Sequence, residues 1–284
     1  LGICKIKENK VNEAITLLEK SITFSPRHEF ANLNLGLVHF NNKNYEISIL
    51  YLNKTIEINE NNQLAIYHLG LINLILENYN KAINQFNKLL KINRKDQNAI
   101  LNLGIIYNKL GEYEKSIETY KNLIEINPKN IHGINNLGLT YFNLSKFNEA
   151  KECFKKCVDI NNNFIPAYSN LGRVQTELKE FDNALENFNL VIKNNNKDYN
   201  SLFAIGKIYL SIGKYSEGFK FYEYRKYINK RENIEYIKKN FNSKEWNGEN
   251  LENKKILIIS EQGFGDTIQF SRYLEMINSN NEII

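Results

Sequence analysis

The sequence has few cysteines, few prolines and no long apolar run. Three cysteines in 284 residues, Cys4, Cys153 and Cys157, are too few for a disulfide framework, so we expect a reducing compartment, the cytoplasm. No run of about 18 apolar residues is present, which excludes an obvious membrane-spanning helix. No signal peptide is visible. The chain begins at Leu1 rather than Met, and we expect it to be a fragment of a longer protein.

Charge and composition narrow the class of protein further. Charged residues make up 24% and hydrophobic residues 42%, which is typical of a folded protein and not of a disordered one. The net charge of +5 comes from interspersed charges of both signs, so it does not predict a nucleic-acid partner. About one residue in six is Asn. A single Asn is therefore weak evidence for a site.

The main feature is an internal repeat of 34 residues. Its clearest marker is a glycine that follows Leu or Ile, at Gly2, Gly36, Gly70, Gly104, Gly138, Gly172 and Gly206. An aromatic residue recurs with the same step at Tyr45, Tyr79, Tyr113, Phe147, Phe181 and Tyr215. A small residue and then another large residue follow in each unit, as Ser116 and Tyr120 do in the third.

Each unit predicts a helical hairpin. In residues 97–130, apolar side chains first recur at helical spacing, and the segment KLGEY then breaks the helix. A second amphipathic stretch follows and ends at Asn127 and Pro128. Gly104 lies inside the first helix, where glycine lowers helix stability by about 1 kcal/mol relative to alanine. Because the glycine recurs in every unit despite this cost, we expect it to allow close packing of the second helix. Such hairpins stack into a solenoid because none can bury its apolar face alone.

This pattern resembles the tetratricopeptide repeat family. The period, the Leu-Gly pair and the aromatic and small positions all match, from residue 1 to about 232. The resemblance implies an all-α superhelical solenoid, with a partial unit at 1–28 and six full units at 29–232. It further implies a scaffold that binds a protein or peptide in a concave groove lined by the first helices. The sixth unit departs from the pattern, because Arg225 and Lys226 replace small and apolar residues.

A possible groove site precedes the Leu-Gly pairs. Four of the six residues at this position are Asn, namely Asn34, Asn102, Asn136 and Asn170, while His68 and Ala204 fill the other two. A side-chain amide both donates and accepts hydrogen bonds, so a row of them can pair with a peptide backbone. The row is similar to the ladder that holds extended polypeptide in O-GlcNAc transferases. The alternative is that it reflects only the high Asn content.

Metal chemistry is not predicted. The four histidines do not cluster, and Cys153 and Cys157 lack a second pair of ligands, so we expect no metal site.

The repeat fails after about residue 232. Residues 233–253 are highly charged and predict a connecting helix or linker. Residues 254–284 predict a strand at Ile256–Ile259, the glycine-containing loop EQGFGD, a helix and the start of a second strand. This order is that of the first β-α-β unit of a doubly wound α/β domain. We expect that domain to be incomplete here.

Asp266 in this loop has two interpretations. It can cap the following helix, with Gln269 three residues later completing a capping box. It can also act as a general base on an acceptor hydroxyl, since ligands of α/β sheets bind at the carboxyl ends of strands. Gly263 and Gly265 permit close approach of backbone to a phosphate or sugar, but the dinucleotide fingerprint is incomplete.

A second resemblance bears on this choice. The segments YSEGFKFYEYR, EWNGE and ILIISEQGFGDTIQFSRYL are together similar to bacterial proteins that join tetratricopeptide repeats to a glycosyltransferase-like domain. Those domains look like the heptosyltransferase group of the GT-B fold, whose proposed base maps onto Asp266. The resemblance implies that Gln262, Gly263, Gly265 and Gln269 shape the substrate loop and that the parent protein uses a nucleotide-sugar donor. The donor lobe would lie beyond Ile284, so the residues printed here are expected to be inactive.

Two functions follow from these observations. In the first, the repeats are a binding scaffold in a glycosyltransferase, where they select an acceptor protein or glycan. In the second, the parent is an interaction protein without transferase activity. A fused sulfotransferase or nucleotide-binding module is disfavoured because no phosphate-loop lysine follows the strand.

Overall fold

The structure, a computed structural model, describes residues 11–228 and the backbone of two short strands, β1 (Lys255–Ile256) and β2 (Glu282–Ile283). The chain divides into two compact units, Leu1–Ile228 and Asn229–Ile284. The described helices of the first unit are α1 (Val11–Phe24), α2 (Glu29–Asn41), α3 (Tyr45–Ile58), α4 (Gln63–Ile75), α5 (Tyr79–Ile92), α6 (Gln97–Lys109), α7 (Tyr113–Ile126), α8 (Ile131–Asn143), α9 (Phe147–Ile160), α10 (Ile165–Glu177), α11 (Phe181–Asn194), α12 (Tyr199–Ser211), α13 (Tyr215–Tyr222) and α14 (Arg225–Ile228).

These helices form a solenoid of hairpins, as the periodicity predicts. Repeats 1 to 6 have α2, α4, α6, α8, α10 and α12 as their first helices and the following odd-numbered helices, α3 to α13, as their second helices. In repeat 6 the second helix ends early, at Tyr222, and a turn leads into α14. No helix among the described residues is long and apolar enough to cross a membrane.

Polar side chains fix where most of the first helices begin. The residue before α4, Asn62, accepts a hydrogen bond from the Ala65 amide at 2.9 Å, and Asp96 does the same for Ala99 at 2.8 Å. Each cap satisfies one of the amide groups that a helix start leaves unpaired. Repeat 5 is an exception, since Phe164 stands at the cap position without a side-chain bond.

The recurring Asn at the end of each repeat has a structural role. Asn127 has an extended backbone after α7, and its Oδ1 accepts a hydrogen bond from the Lys129 amide at 3.2 Å. The same side-chain turn forms at Asn59, Asn93, Asn161 and Asn195. Turns of this kind suit Asn because its short amide bonds the backbone two residues on. Part of the Asn excess is therefore explained by the fold.

Adjacent repeats are also joined by side chains. Asn59 and Asn62, at the end of repeat 1 and the start of repeat 2, both donate to Glu29 Oε1, at 2.8 and 2.7 Å. These two bonds lower the pKa of Glu29. In repeats 3 and 4, Asn127 and Asn130 donate in the same way to Gln97.

The turn inside each hairpin needs a left-handed residue. Gly111 and Gly213 supply it in repeats 3 and 6, with φ of 75° and 80°. The equivalent residues elsewhere are Lys43, Glu77, Ser145 and Lys179, with φ between 57° and 60°. The turn thus tolerates a side chain although glycine adopts it at less cost.

The glycine inside the first helix has a clear packing reason. A methyl group on Gly104 would lie 2.4 Å from Cε1 of Tyr120 in the second helix, closer than real Cβ atoms come to other atoms. Ser116, on that helix, donates to the Gly104 carbonyl at 3.0 Å. Gly36, Gly70, Gly138 and Gly172 each face the corresponding large residue, Leu52, Phe86, Phe154 and Phe188. The two helices therefore pack with almost no gap, as the repeated glycine predicts.

The second unit is described only by its two strands. Lys255 pairs with Glu282 and Ile256 with Ile283, in parallel. Other residues of the predicted β-α-β segment, including the loop and Asp266, lie outside the described residues. A GT-B domain is therefore not shown, and this part of the fold prediction remains a prediction.

Candidate binding face

One face of the solenoid is formed by the first helices alone. Each first helix contacts its own second helix, the second helix of the preceding repeat and, in several repeats, the neighbouring first helix. In α4 the buried residues include Ala65, Ile66 and Leu69, whereas Leu64, Tyr67 and Leu71 lie on the other side. We call this other side, across α2, α4, α6, α8, α10 and α12, the groove face.

The groove face is apolar in repeats 1 and 2, and in repeat 3 as far as Lys109 at the end of α6. Phe30, Leu64 and Ile75 are 53%, 46% and 48% exposed, although large apolar side chains are usually buried. Partly buried apolar side chains lie between them along the same stripe, namely Leu37, Tyr67, Leu71, Leu101 and Ile105. A contiguous exposed apolar surface of this kind is a mark of an interaction site.

The first helices are also nearly free of charge. The six contain five charged residues among 78, which are Glu29, Lys109, Arg173, Glu177 and Lys207. The second helices of repeats 1 to 5 contain 20 charged residues among 70. The solvated, charged side of the solenoid is therefore formed by the second helices. The apolar first helices are left with an exposed face that lacks the charges of an ordinary surface.

The predicted amide row lies on the first helices but is only partly open. Asn34 donates to the Phe30 carbonyl at 2.7 Å, and Asn102 donates to the Asn98 carbonyl at 2.8 Å. Asn102 is only 8% exposed. One N–H group of each of these two amides is therefore hydrogen-bonded to its own helix, and fewer N–H groups remain for a ligand. His68 packs edge-on against Phe40, and burial lowers its pKa, so it is neutral at pH 7.

The other two amides of the row belong to a hydrogen-bonded chain. Arg173 donates to Asn170 Oδ1 at 3.3 Å, and Asn170 donates to Asn135 Oδ1 at 2.9 Å. Asn135 in turn donates to Asn136 Oδ1 at 3.4 Å. The repeat pattern does not mark Asn135, because this residue stands one position before the repeated one. The doublet Asn135–Asn136 was the available signal.

Two cations occupy equivalent positions of adjacent repeats. The Arg173 guanidinium lies 4.7 Å from the centre of the Phe142 ring, and Lys207 Nζ lies 5.3 Å from that of Phe203. Aromatic rings hold cations in place in this way without neutralising them. Within residues 11–228, neither cation forms an ion pair with a carboxylate.

The cysteines of residues 11–228 are not reactive. Burial raises the pKa of the Cys153 thiol to about 11 and that of the Cys157 thiol to about 12, so both are protonated and poor nucleophiles. Among the described residues, no group of His, Cys, Asp and Glu is arranged to hold a metal ion. The predicted loop residues Gln262, Gly263, Gly265, Asp266 and Gln269 lie outside that part of the chain.

Comparison with known families decides what the repeats are. The family model described as TPR repeat matches residues 104–145, and the model described as Tetratricopeptide repeat matches residues 133–164. A third, also described as Tetratricopeptide repeat, matches residues 165–198. Residues 104–198 thus match tetratricopeptide repeats, and the helical hairpins on either side keep the same 34-residue step. The model of subunit 3 of the anaphase-promoting complex, the cyclosome, also matches, over residues 7–89.

Several solved structures share the fold of the repeats. MamA is 26% identical, with a TM-score of 0.55 over 57% of this chain and 95% of its own. PilF of Pseudomonas aeruginosa is 17% identical, with a TM-score of 0.60 over 76% of this chain and 93% of its own. YrrB, described as having an unusual peptide-binding site, is 19% identical, with a TM-score of 0.53 over 66% and 96%. No curated protein sequence is similar enough to count as a relative.

Proposed function

We propose that the repeats form a scaffold that binds a polypeptide segment of a partner protein along the groove face. The observation that carries the proposal is the exposed, nearly uncharged apolar surface of the first helices. Burial of Phe30, Leu64 and Ile75 under a ligand would remove apolar area from water at about 25 cal/mol per Å². The description of YrrB, a protein of the same fold, names a peptide-binding site.

The amide chain gives the face a means to hold peptide backbone. Asn136 and Asn170 are linked by hydrogen bonds through Asn135, which is itself only 8% exposed, and these bonds fix the orientation of the two more open amides before a ligand arrives. A peptide bond needs one donor and one acceptor, and a side-chain amide supplies both. Binding through the peptide backbone would make this part of the scaffold tolerant of partner sequence.

A cytoplasmic location remains a prediction from the scarcity of cysteine.

The double substitution Leu64→Glu and Ile75→Glu tests the groove face. Both side chains are half exposed, so the change should leave the fold intact while placing two carboxylates in the apolar surface. We expect the dissociation constant for a peptide selected on the wild-type chain from a random library to rise at least about tenfold, since that is a loss of about 1.4 kcal/mol. Fluorescence anisotropy measures this directly.

The matched control is Ile47→Glu with Leu50→Glu. These residues are as exposed as Leu64 and Ile75 but lie on the second helix of repeat 1. The control should bind the peptide as the wild type does. If both double variants bind equally well, the groove face is not the binding surface.

We further propose that the parent protein is a glycosyltransferase whose acceptor is selected by the repeats. The sequence motif around Asp266 supports this, and the parallel pairing of β1 with β2 is the arrangement that a β-α-β unit requires. In this proposal Asp266 deprotonates the acceptor hydroxyl, Gln262, Gly263, Gly265 and Gln269 shape the loop, and a nucleotide sugar is the donor. A pure interaction protein is the competing function.

Two substitutions at Asp266 separate catalysis from helix capping in the full-length protein. Ser caps a helix but cannot act as a base at neutral pH, and Asn also caps. We expect both variants to keep the melting temperature and to lose at least about 100-fold in sugar transfer from a nucleotide-sugar mixture. Transfer at the wild-type rate by either variant would contradict the base assignment. Absence of transfer in the wild type would favour the interaction protein.

A further inference from the structure

The groove face changes character along the solenoid. Repeats 1 and 2 present apolar side chains, repeat 3 presents Leu101 and Ile105 with Lys109 at the end of its first helix, repeats 4 and 5 present linked amides, and repeats 5 and 6 each present a cation. We propose that the partner segment has the same order: an apolar stretch on repeats 1 and 2, followed further along by acidic residues at Arg173 and Lys207. This inference rests on the proposed function, since it names the kind of polypeptide that the groove face selects.

The apolar end excludes a charged ligand segment. No charged residue lies in α4, the only one in α2 is Glu29, and the only one in α6 is Lys109, at the end of that helix. Glu29 already accepts hydrogen bonds from Asn59 and Asn62 and is therefore not available to a ligand cation. A charged side chain over Leu64 or Ile75 would lose water without gaining a partner, which is costly. This end therefore selects apolar side chains.

The other end favours carboxylates. Arg173 and Lys207 occupy the same position of adjacent repeats, so they face the groove one repeat apart. Both lie against aromatic rings that hold them in place, and neither is paired with a carboxylate of residues 11–228. Glu177, one turn after Arg173 on the same helix, forms no ion pair with it. The remaining N–H groups of both cations are thus available to an anionic ligand.

A second copy of the same face is a poor occupant. Of its two acidic residues, Glu29 is committed to a repeat junction and Glu177 lies beside Arg173 itself. Self-association would place apolar surface on apolar surface but leave the cations without acidic partners. Charge complementarity therefore favours a different chain, one with an apolar run and carboxylates at one end.

The test uses three peptides of equal length on the whole chain. All have the same apolar run of Leu and Ala, and they end in Glu residues, in Gln residues or in Lys residues. We expect the Glu peptide to bind about five- to tenfold more tightly than the Gln peptide at low salt, and the Lys peptide to bind most weakly, because exposed ion pairs each contribute modestly. The preference should fall in high salt.

Charge reversal provides the decisive variant. Arg173→Glu with Lys207→Glu should invert the order, so that the Lys peptide binds best, while the Gln peptide keeps its affinity. Lys193→Glu is the control, since this exposed lysine lies on a second helix, and it should change nothing. Equal binding of the Glu and Gln peptides to the wild type would overturn the inference and leave the groove face as a binding surface.

Two further results separate this inference from the proposed function. If none of the peptides binds and the selected library peptide is unaffected by Leu64→Glu with Ile75→Glu, the proposed function itself fails. If light scattering shows a wild-type dimer that this double variant converts to a monomer, the occupant is a second copy, and the acidic-peptide inference is wrong.

Discussion

Replacing Phe154 with alanine is expected to lower the free energy of unfolding by about 3–5 kcal/mol. Phe154 is fully buried on the second helix of repeat 4, where it packs with Ala150, Leu171 and Val174. Leu171 and Val174 belong to the first helix of repeat 5, so the cavity would also weaken the junction between repeats. Because repeats stabilise only their neighbours, loss of one junction should reduce cooperativity.

Urea unfolding followed by circular dichroism checks this prediction. The variant should unfold at lower urea, over a broader transition than the wild type. Phe24→Ala is the control, because Phe24 is 90% exposed and its removal should change stability by less than about 0.5 kcal/mol. A similar small change for Phe154→Ala would show that repeats 4 and 5 do not pack as described.

Gly104→Ala is expected to destabilise the chain by about 1–3 kcal/mol even though alanine is the better helix former. The added methyl group would lie 2.4 and 2.6 Å from two ring carbons of Tyr120. That ring is buried, and its hydroxyl is hydrogen-bonded by Asn136 and Ser116, so it has little freedom to move away. Steric overlap therefore outweighs the gain in helix propensity of about 1 kcal/mol.

Gly111→Ala provides the comparison for this variant. Nothing lies within 4 Å of a methyl group at Gly111, so the substitution adds only the strain of a left-handed backbone. Its cost should be about 1 kcal/mol, a strain that the chain already bears at Lys43, Glu77, Ser145 and Lys179. Thermal unfolding of the two variants side by side gives the measurement. A Gly104→Ala variant more stable than Gly111→Ala would contradict close helix packing at Gly104.

The solenoid could be predicted from sequence because every repeat restates the same physical requirements. A glycine where the helices touch, a large residue facing it and a polar cap before each first helix recur at a step of 34 residues. Because the glycine recurs seven times inside a helix, the sequence alone indicates that the two helices pack closely there. The left-handed residue in the turn of each hairpin could not be predicted in the same way, because in four of the six repeats it is not glycine.

The binding face could be predicted only in part. Periodicity placed Asn34, Asn102, Asn136 and Asn170 on the first helices, but it did not show which of their hydrogen bonds are already made. Asn102 is largely buried, and Asn170 is connected through Asn135, which periodicity passed over. Burial and side-chain bonding depend on neighbours from other repeats, which a repeat pattern does not specify.

Hydrogen exchange with and without a selected peptide tests the central claim, that the groove face binds polypeptide, most directly. With peptide bound, amide exchange should slow in the first helices, above all in α4 and α10, and remain unchanged in the second helices α5 and α11. Because each repeat has a first and a second helix, amide exchange in the second helix serves as the control for exchange in the first helix of the same repeat. Protection confined to the second helices, or absent from residues 11–228, would contradict the account.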